Sequence, residues 1–378
     1  MNVLMQIRTD AFTKYGGDTN QMLHYKKHLE SLGVHVDIST CLRPNLASYD
    51  MVHLSNLDRP LETFTQLCNA KRQGRRAVLS PIHQSFQYRE DFRRFHDTGL
   101  IGWVGRKCRK REHFEVAKDA LRCLQNFDLL GAWLREAWVG PIEAQRHIVE
   151  LADAIILLAN AEGRQIERDL GLTLDRTYTV YNGVDCIGKG PGELDERGSE
   201  IYRDCVLVVG RIETGKNPLG IARVLAETPF KIVFVGGINP WHRVYFKDFK
   251  HFIEKHDNLQ YLGRLQPEQV AMAFALSTVH VNASWFEVAP LVDIEAAYWG
   301  CKVVTTTRSY AREYISEFAL FCDPADPKSI RSAVLEAYSR PKNPEVRKII
   351  ADRFSWRRAA RSLVDAYKEV MDRKALQQ

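Results

Sequence analysis

Short apolar runs separated by longer amphipathic stretches set the rhythm of this chain. Val3–Ile7 reads as a strand. Asn20–Leu32 follows with Met22, Leu23, Leu29 and Leu32 at mostly helical spacing, Gly33 ends it, and Val34–Ile38 returns to strand character. Met51–Leu54 and Ala77–Leu79 are further strands, Ala154–Leu158 follows a helix ending near Leu151, and Tyr178–Val180 leads into an Asn182-Gly183 turn. Strands alternating with helices predict a parallel sheet covered on both faces.

The pattern breaks at Cys186–Glu200, rich in Gly and charge and poor in apolar residues, which reads as an inter-domain linker. Beyond it the alternation restarts. Val206–Val209, Lys231–Val235, Tyr261-Leu262, Val279–Asn282 and Val303-Val304 are predicted strands, and Leu219–Ala226, Val270–Leu276 and Ile294–Trp299 predicted helices. The tail, Trp356–Met371, is amphipathic, with Leu363, Ala366, Tyr367 and Val370 on one stripe. The expected fold class is α/β: two doubly wound, Rossmann-like parallel-sheet domains facing a central cleft. The expected bounds are 1–185, a linker at 186–200, 201–355, and a tail helix over 356–378. In such sheets ligands sit outside the carboxyl ends of the strands.

Composition agrees with this division. A chain of 378 residues exceeds one ordinary core. No run of about 18 apolar residues is present, so no membrane span is expected. The N-terminus reads as a first strand and not a signal peptide. Eight scattered cysteines without a CxxC pair suggest free thiols in a reducing cytosol, and no metal or redox cofactor. The net charge of +6 fits anionic partners without choosing among them.

Candidate chemistry clusters after strands. Gly210-Arg211-Ile212-Glu213-Thr214-Gly215-Lys216 follows the first strand of the second half. A planar guanidinium and a mobile ammonium five residues apart can converge on one diphosphate and neutralise a departing nucleotide; two solvated surface cations are the alternative. Ser284–Glu295 also follows a strand and enters a helix. There the exposed N–H groups of Val288, Ala289 and Leu291 are placed to hold a phosphate, Pro290 having none to offer. Glu287 and Glu295 flank that cradle and could grip sugar hydroxyls, or Glu295 could merely complement the helix dipole. Gly16-Gly17, between the first strand and first helix, permits close approach of a ligand, although it is not GxGxxG. His83 follows Ala77–Leu79 and would face the cleft to share an acceptor proton, or else be a structural histidine. No Asp-x-Asp pair occurs, so Arg and Lys would replace a divalent ion. The segment Arg89–Arg111 interleaves basic and aromatic residues; anionic lipid, an anionic acceptor or nucleic acid could use it, or it is a solvated helical surface.

In order and spacing these pieces resemble the large GT4-type family of retaining glycosyltransferases with the GT-B fold. The resemblance runs over Gly16-Gly17, Tyr181-Asn182-Gly183-Val184-Asp185, Val209-Gly210-Arg211 to Lys216, and Val235-Gly236-Gly237. It continues through Leu262-Gly263-Arg264, Glu287 to Glu295, Val303-Val304, and Phe354-Ser355-Trp356. It implies that Arg211 and Lys216 hold the donor diphosphate, Glu295 the ribose and Glu287 the donor sugar. Val288–Leu291 would meet the phosphate, and the base would lie near Gly236 and the Leu262–Arg264 strand end. His83 would match a cleft histidine, and the helix after Trp356 would cross back to the first domain. Two positions depart from the family pattern: Val288-Ala289-Pro290 where many relatives have a glycine, and Tyr181 where they have proline.

The function expected on this resemblance is metal-independent, retaining transfer of a sugar from a nucleotide-diphosphate sugar to a glycan or lipid-linked acceptor. The setting would be bacterial surface polysaccharide synthesis in the cytoplasm, with peripheral membrane contact through Arg89–Arg111 and no nucleic acid partner. A nucleotide-sugar epimerase or hydrolase and a non-catalytic nucleotide-sugar-binding subunit are the rival readings.

Overall fold

The computed structural model describes residues 1–96, 123, 129–185 and 199–372. The linker residues 186–198 and most of the basic stretch beyond residue 96 lie outside them. The chain divides into two compact units. One comprises 1–86, 93–182 and the C-terminal segment from Trp356; the other comprises 87–92 and 183–355.

The first unit is built on a six-stranded, all-parallel sheet: β1 (Asn2–Gln6), β2 (His35–Ser39), β3 (Met51–Ser55), β4 (Arg76–Ser80), β5 (Ala154–Leu157) and β6 (Thr177–Thr179), in the order β2-β1-β3-β4-β5-β6. Its helices are α1 (Gly17–Glu30), α2 (Pro60–Arg72), α3 (Phe86–His96, whose 87–92 belong to the other unit), α4 (Leu130–Val139), α5 (Pro141–Leu151) and α6 (Asn160–Leu170). β3 is buried at all five positions, as expected of a central strand covered on both faces. The sequence shows α2 and α6 poorly, because each buries polar side chains. Glu62 accepts the Thr9 amide at 2.7 Å, and Gln66 donates to the Ile7 carbonyl at 3.0 Å, both on the strand exit of β1.

The second unit repeats the plan with β7 (Val206–Val209), β8 (Ile232–Val235), β9 (Leu259–Tyr261), β10 (Val279–Asn282), β11 (Lys302–Thr306) and β12 (Ala319–Cys322), ordered β12-β11-β10-β7-β8-β9. Its helices are α7 (Pro218–Leu225), α8 (Arg243–Ile253), α9 (Pro267–Leu276), α10 (Leu291–Tyr298), α11 (Arg312–Ile315), α12 (Pro327–Ser339) and α13 (Glu345–Arg353). Every strand pairing is parallel, and Val206, Phe234, Phe249, Val281 and Val334 are fully buried in its core. The order reverses between β7 and β10, which makes that crevice the topological switch point.

The last helix, α14 (Trp356–Asp372), packs on α1 within the first unit. Trp356 is buried, its ring stacked on His24 with centroids 4.6 Å apart and meeting Tyr25 edge-on at 5.8 Å. Farther along, Tyr367 bonds His53 Nδ1, and His53 Nε2 meets Ser80 Oγ at 2.7 Å. Burial pushes His53 down to about 3, so the imidazole stays neutral and adds no uncompensated charge. Replacing Trp356 with Ala should cost about 3–5 kcal/mol. Amide exchange should then lose protection across Gly17–Glu30; unchanged protection there would mean that α14 does not hold α1.

Candidate functional site

The switch point of the second sheet is where the chain spends its conformationally costly residues. After β7 the backbone runs alongside the segment after β8: Gly210 donates its N–H to the Val235 carbonyl at 2.9 Å, and Ile212 to Gly237 at 2.9 Å. A Cβ on Gly236 would lie 1.8 Å from the Gly210 carbonyl oxygen, and its φ is +150°. Only glycine satisfies both conditions. Gly236 donates to the Gly263 carbonyl at 2.8 Å, and the Leu262 amide to Phe234 at 3.0 Å, which joins the exit of β9 to the same edge.

On the other side, the Trp285 amide donates to the Gly215 carbonyl at 2.9 Å, and the Asn217 side chain to the Ala283 carbonyl at 3.2 Å. The exit of β11 adds the Arg308 carbonyl, 2.9 Å from the Glu287 amide. Five strand exits are thus laced into one edge by backbone hydrogen bonds. Between the β7 and β10 exits lies a pocket lined by Gly210, Arg211, Lys216, Asn282, Ser284 and Glu287, with Val292 of α10 behind them.

The charges on this pocket are paired unequally. Lys216 Nζ donates to Glu287 Oε1. Arg211 places one nitrogen 3.0 Å from Glu213 Oε1, but its side chain is 47% exposed and its other donors have no described partner. Glu213 is itself held, accepting from Asn239 Nδ2 at 2.6 Å. The guanidinium is therefore oriented at one corner with most of its five N–H donors free.

Helix α10 begins after Pro290, and its first N–H groups, on Leu291 and Val292, have no intrahelical acceptor. Val288 turns inward, with its carbonyl accepting from Tyr310 at 3.2 Å. Glu295 stands one turn along α10, half-buried, and its carboxylate accepts no hydrogen bond from a described residue. Burial, then the charges of Asp185 and Asp293, push it up to about 7.

The structure brings Gly210, Arg211, Lys216 and Glu287 together at one pocket. Gly236 and Gly237 brace its β7 wall, and the exposed Arg264 follows the braced exit of β9. Gly16, Gly17 and His83 belong to the first unit. Gly16 is extended, and a Cβ there would meet Asp18 Oδ1 at 2.8 Å. Its smallness admits the Arg8–Asp18 ion pair, which lies at 2.6 Å. Gly17 opens α1 with free space around its Cα.

His83 corrects an expectation. It does not face a cleft: its ring is fully buried, with Nδ1 3.2 Å from Asp58 Oδ1 and Nε2 2.8 Å from Asp169 Oδ2. Burial opposes the imidazolium, but hydrogen bonds and charge from Asp169 and Asp58 outweigh it and lift the pKa to about 9. With both ring nitrogens occupied, His83 ties the exits of β3 and β4 to α6 and has no proton to offer an acceptor in this arrangement.

Sequence reasoning passed over Glu213, Asn282, Ser284 and Asp293. Asn282 and Ser284 announce themselves only as polar residues at and just after the end of a strand, and Glu213 only as an acid inside the basic loop.

Residues 197–353 match the family described as "Glycosyl transferases group 1". None of the curated proteins matches the chain in sequence. Among solved structures, sucrose-phosphate synthase from Thermosynechococcus elongatus is 13% identical, with 98% of this chain and 99% of that one covered and a TM-score of 0.72. Anabaena Alr3699/HepE in complex with UDP-glucose is 14% identical over 98% and 100%, with a TM-score of 0.68. The catalytic domain of starch synthase IV from Arabidopsis thaliana bound to ADP and acarbose is 12% identical over 98% and 99%, with a TM-score of 0.64.

The buried His83 makes stability pH-dependent. A pKa raised from 6.5 to about 9 contributes stability that is fully present below 6.5 and lost as pH rises through 9. Urea denaturation should show His83→Gln destabilised by on the order of 3 kcal/mol at pH 6 and far less at pH 10; an equal deficit at both would contradict a charged His83.

The chain therefore carries the GT-B-type fold of these neighbours, with two parallel-sheet units, and its residues 197–353 match the glycosyl transferases group 1 family.

Proposed function

We propose that this protein is a metal-independent, retaining glycosyltransferase that uses a nucleotide-diphosphate sugar and delivers the sugar to a glycan or lipid-linked acceptor. The observation that carries the reading is the pair Arg211 and Lys216 on one pocket at the β7/β10 switch point, with Glu287 on the same wall. A wall bearing a guanidinium with donors to spare and an ammonium, beside unpaired N–H groups at the start of α10, suits a diphosphate. The ligands named for the fold neighbours, UDP-glucose and ADP, have that chemistry and support the choice.

In the proposed reaction the donor C1–O bond breaks towards an oxocarbenium-like state. The bonding electrons leave with the nucleotide diphosphate, whose charge Arg211 and Lys216 take up, while the acceptor hydroxyl oxygen bonds to C1 from the same face and gives its proton to the departing phosphate oxygen. Lys216 exchanges its carboxylate partner for phosphate oxygen, which releases Glu287 to accept from donor-sugar hydroxyls. Glu295, with an unfilled carboxylate, accepts from the ribose. The base lies along the exits of β8 and β9, near Gly236, Gly237, Leu262 and Arg264. Val288, Ala289 and Pro290 form the turn that brings Leu291 to the phosphate. The acceptor is assigned to the first unit, Gly16 and Gly17 keep their proposed donor-binding role, and retention of anomeric configuration follows from the GT4-type resemblance. Bacterial surface polysaccharide synthesis is the proposed setting. The Arg89–Arg111 stretch is proposed as a peripheral contact for anionic lipid; no helix among the described residues is long and apolar enough to cross a membrane.

Incubation with UDP- and GDP-sugars decides between transfer and epimerisation. Transfer releases nucleoside diphosphate in proportion to glycosylated product, whereas an epimerised donor with no diphosphate released would overturn the reading. Lys216→Ala and Arg211→Ala should each lower kcat on the order of 10²-fold. Full turnover in Lys216→Ala would remove its assigned role.

A further inference from the structure

Beneath the pocket the sheet carries polar groups where a core is ordinarily apolar. His280 and Asn282 on β10, Asp293 in the first turn of α10 and Thr305 on β11 are all buried. Asn282 Nδ2 donates to Asp293 Oδ1 at 3.1 Å, and the Thr305 hydroxyl donates to Asp293 Oδ2. His280 Nε2 lies 3.4 Å from Asp293 Oδ1, while its Nδ1 lies 3.2 Å from the Leu207 carbonyl oxygen. Asn282 Oδ1 in turn accepts from the Ser284 hydroxyl at 2.6 Å and the Ser284 amide at 3.3 Å.

A carboxylate taken from water into a protein core is expensive unless its lone pairs are filled. Packing and burial alone would favour a leucine at 293. What the acid does is orient its neighbours. The Asn282 amide is held at both ends, its NH₂ by Asp293 and its oxygen by Ser284, so it cannot flip. Asn282 and Ser284 line the pocket alongside Lys216 and Glu287. Asp293 also fastens the first turn of α10, with its free Leu291 and Val292 N–H groups, to β10 and β11 at once.

We propose that Asp293 is a positioning residue for the nucleotide diphosphate: through Asn282 and Ser284 it shapes the pocket floor, and through the first turn of α10 it aims the N–H groups, before the ligand arrives. This rests on the donor-site reading above. Elsewhere the strand exits are braced mainly by backbone hydrogen bonds, with the Asn217 side chain on Ala283 and the Lys216–Glu287 pair added. The floor is held by buried side chains, and Asp293 is where they converge.

Two variants separate positioning from simple structural need. Asp293→Asn keeps the shape and an acceptor for Asn282, with Thr305 turning to accept. The double variant D293L/T305V removes the buried carboxylate together with its hydroxyl donor, which spares the fold an unpaired charge, but it leaves the Asn282 amide untethered. The probes are UDP and GDP, with affinity read by calorimetry, and KM and kcat read on the corresponding nucleotide sugars. The double variant should melt within about 3 °C of wild type, yet bind the better nucleoside diphosphate about tenfold more weakly and show raised KM with kcat changed less. Asp293→Asn should recover affinity to within about threefold of wild type. Wild-type affinity in the double variant would overturn the proposal, and so would an Asp293→Asn variant as weak as the double one. If the wild-type protein binds neither UDP nor GDP, the donor-site reading itself falls.

Discussion

The organisation of this protein's candidate site depends on one close approach of backbone to backbone. Gly236 lies so near the Gly210 carbonyl that any side chain would collide with it. That contact lets the exits of β7 and β8 run side by side, and further hydrogen bonds join the exits of β9, β10 and β11 to the same edge. A loop so braced loses little entropy when it meets a ligand. Arg211 and Lys216 are carried on this rigid edge. Their carboxylate partners, Glu213 and Glu287, balance their charge and fix their direction without occupying every donor.

The first unit uses side-chain charge where the second uses backbone. Its own switch point lies between β1 and β3. There Arg8 reaches Asp10 at 2.7 Å and Asp18 at 2.6 Å, and Arg59 crosses from the β3 exit to Asp10 at 3.2 Å. The neighbouring exits of β3 and β4 are tied through His83, Asp58 and Asp169, while Glu162 accepts the His83 and Leu158 amides at 2.8 and 2.7 Å. Burial lifts Glu162 to about 7 despite those donors, while Asp169 and Asp58 lift His83 to about 9. These ties bind the strand exits to α6, and they account for a histidine that the sequence offered as a proton carrier.

Much of the fold was legible because burial on both faces leaves a simple trace. β3, β4, β7 and β10 appear as short apolar runs, and alternation with helices implies the parallel order found. Helices α2 and α6 were not legible, since Glu62, Gln66 and Glu162 are buried through specific hydrogen bonds that hydropathy cannot register. The site divides in the same way. Arg211, Lys216 and Glu287 could be found from spacing after a strand. The roles of Glu213, Asn282 and Asp293 depend on partners 26, 11 and 12 positions away that only the folded sheet brings near. His83 shows the converse, because a residue at the expected sequence position is enclosed by acids contributed from α6 and the β3 exit.

The central claim is that protein cations, and not a metal ion, receive the charge of the departing nucleotide diphosphate. Steady-state turnover of the preferred nucleotide sugar, measured with excess EDTA and again with added magnesium or manganese, tests it most directly. The account predicts the same kcat in both conditions. A reaction abolished by EDTA and restored by the divalent ion would contradict it.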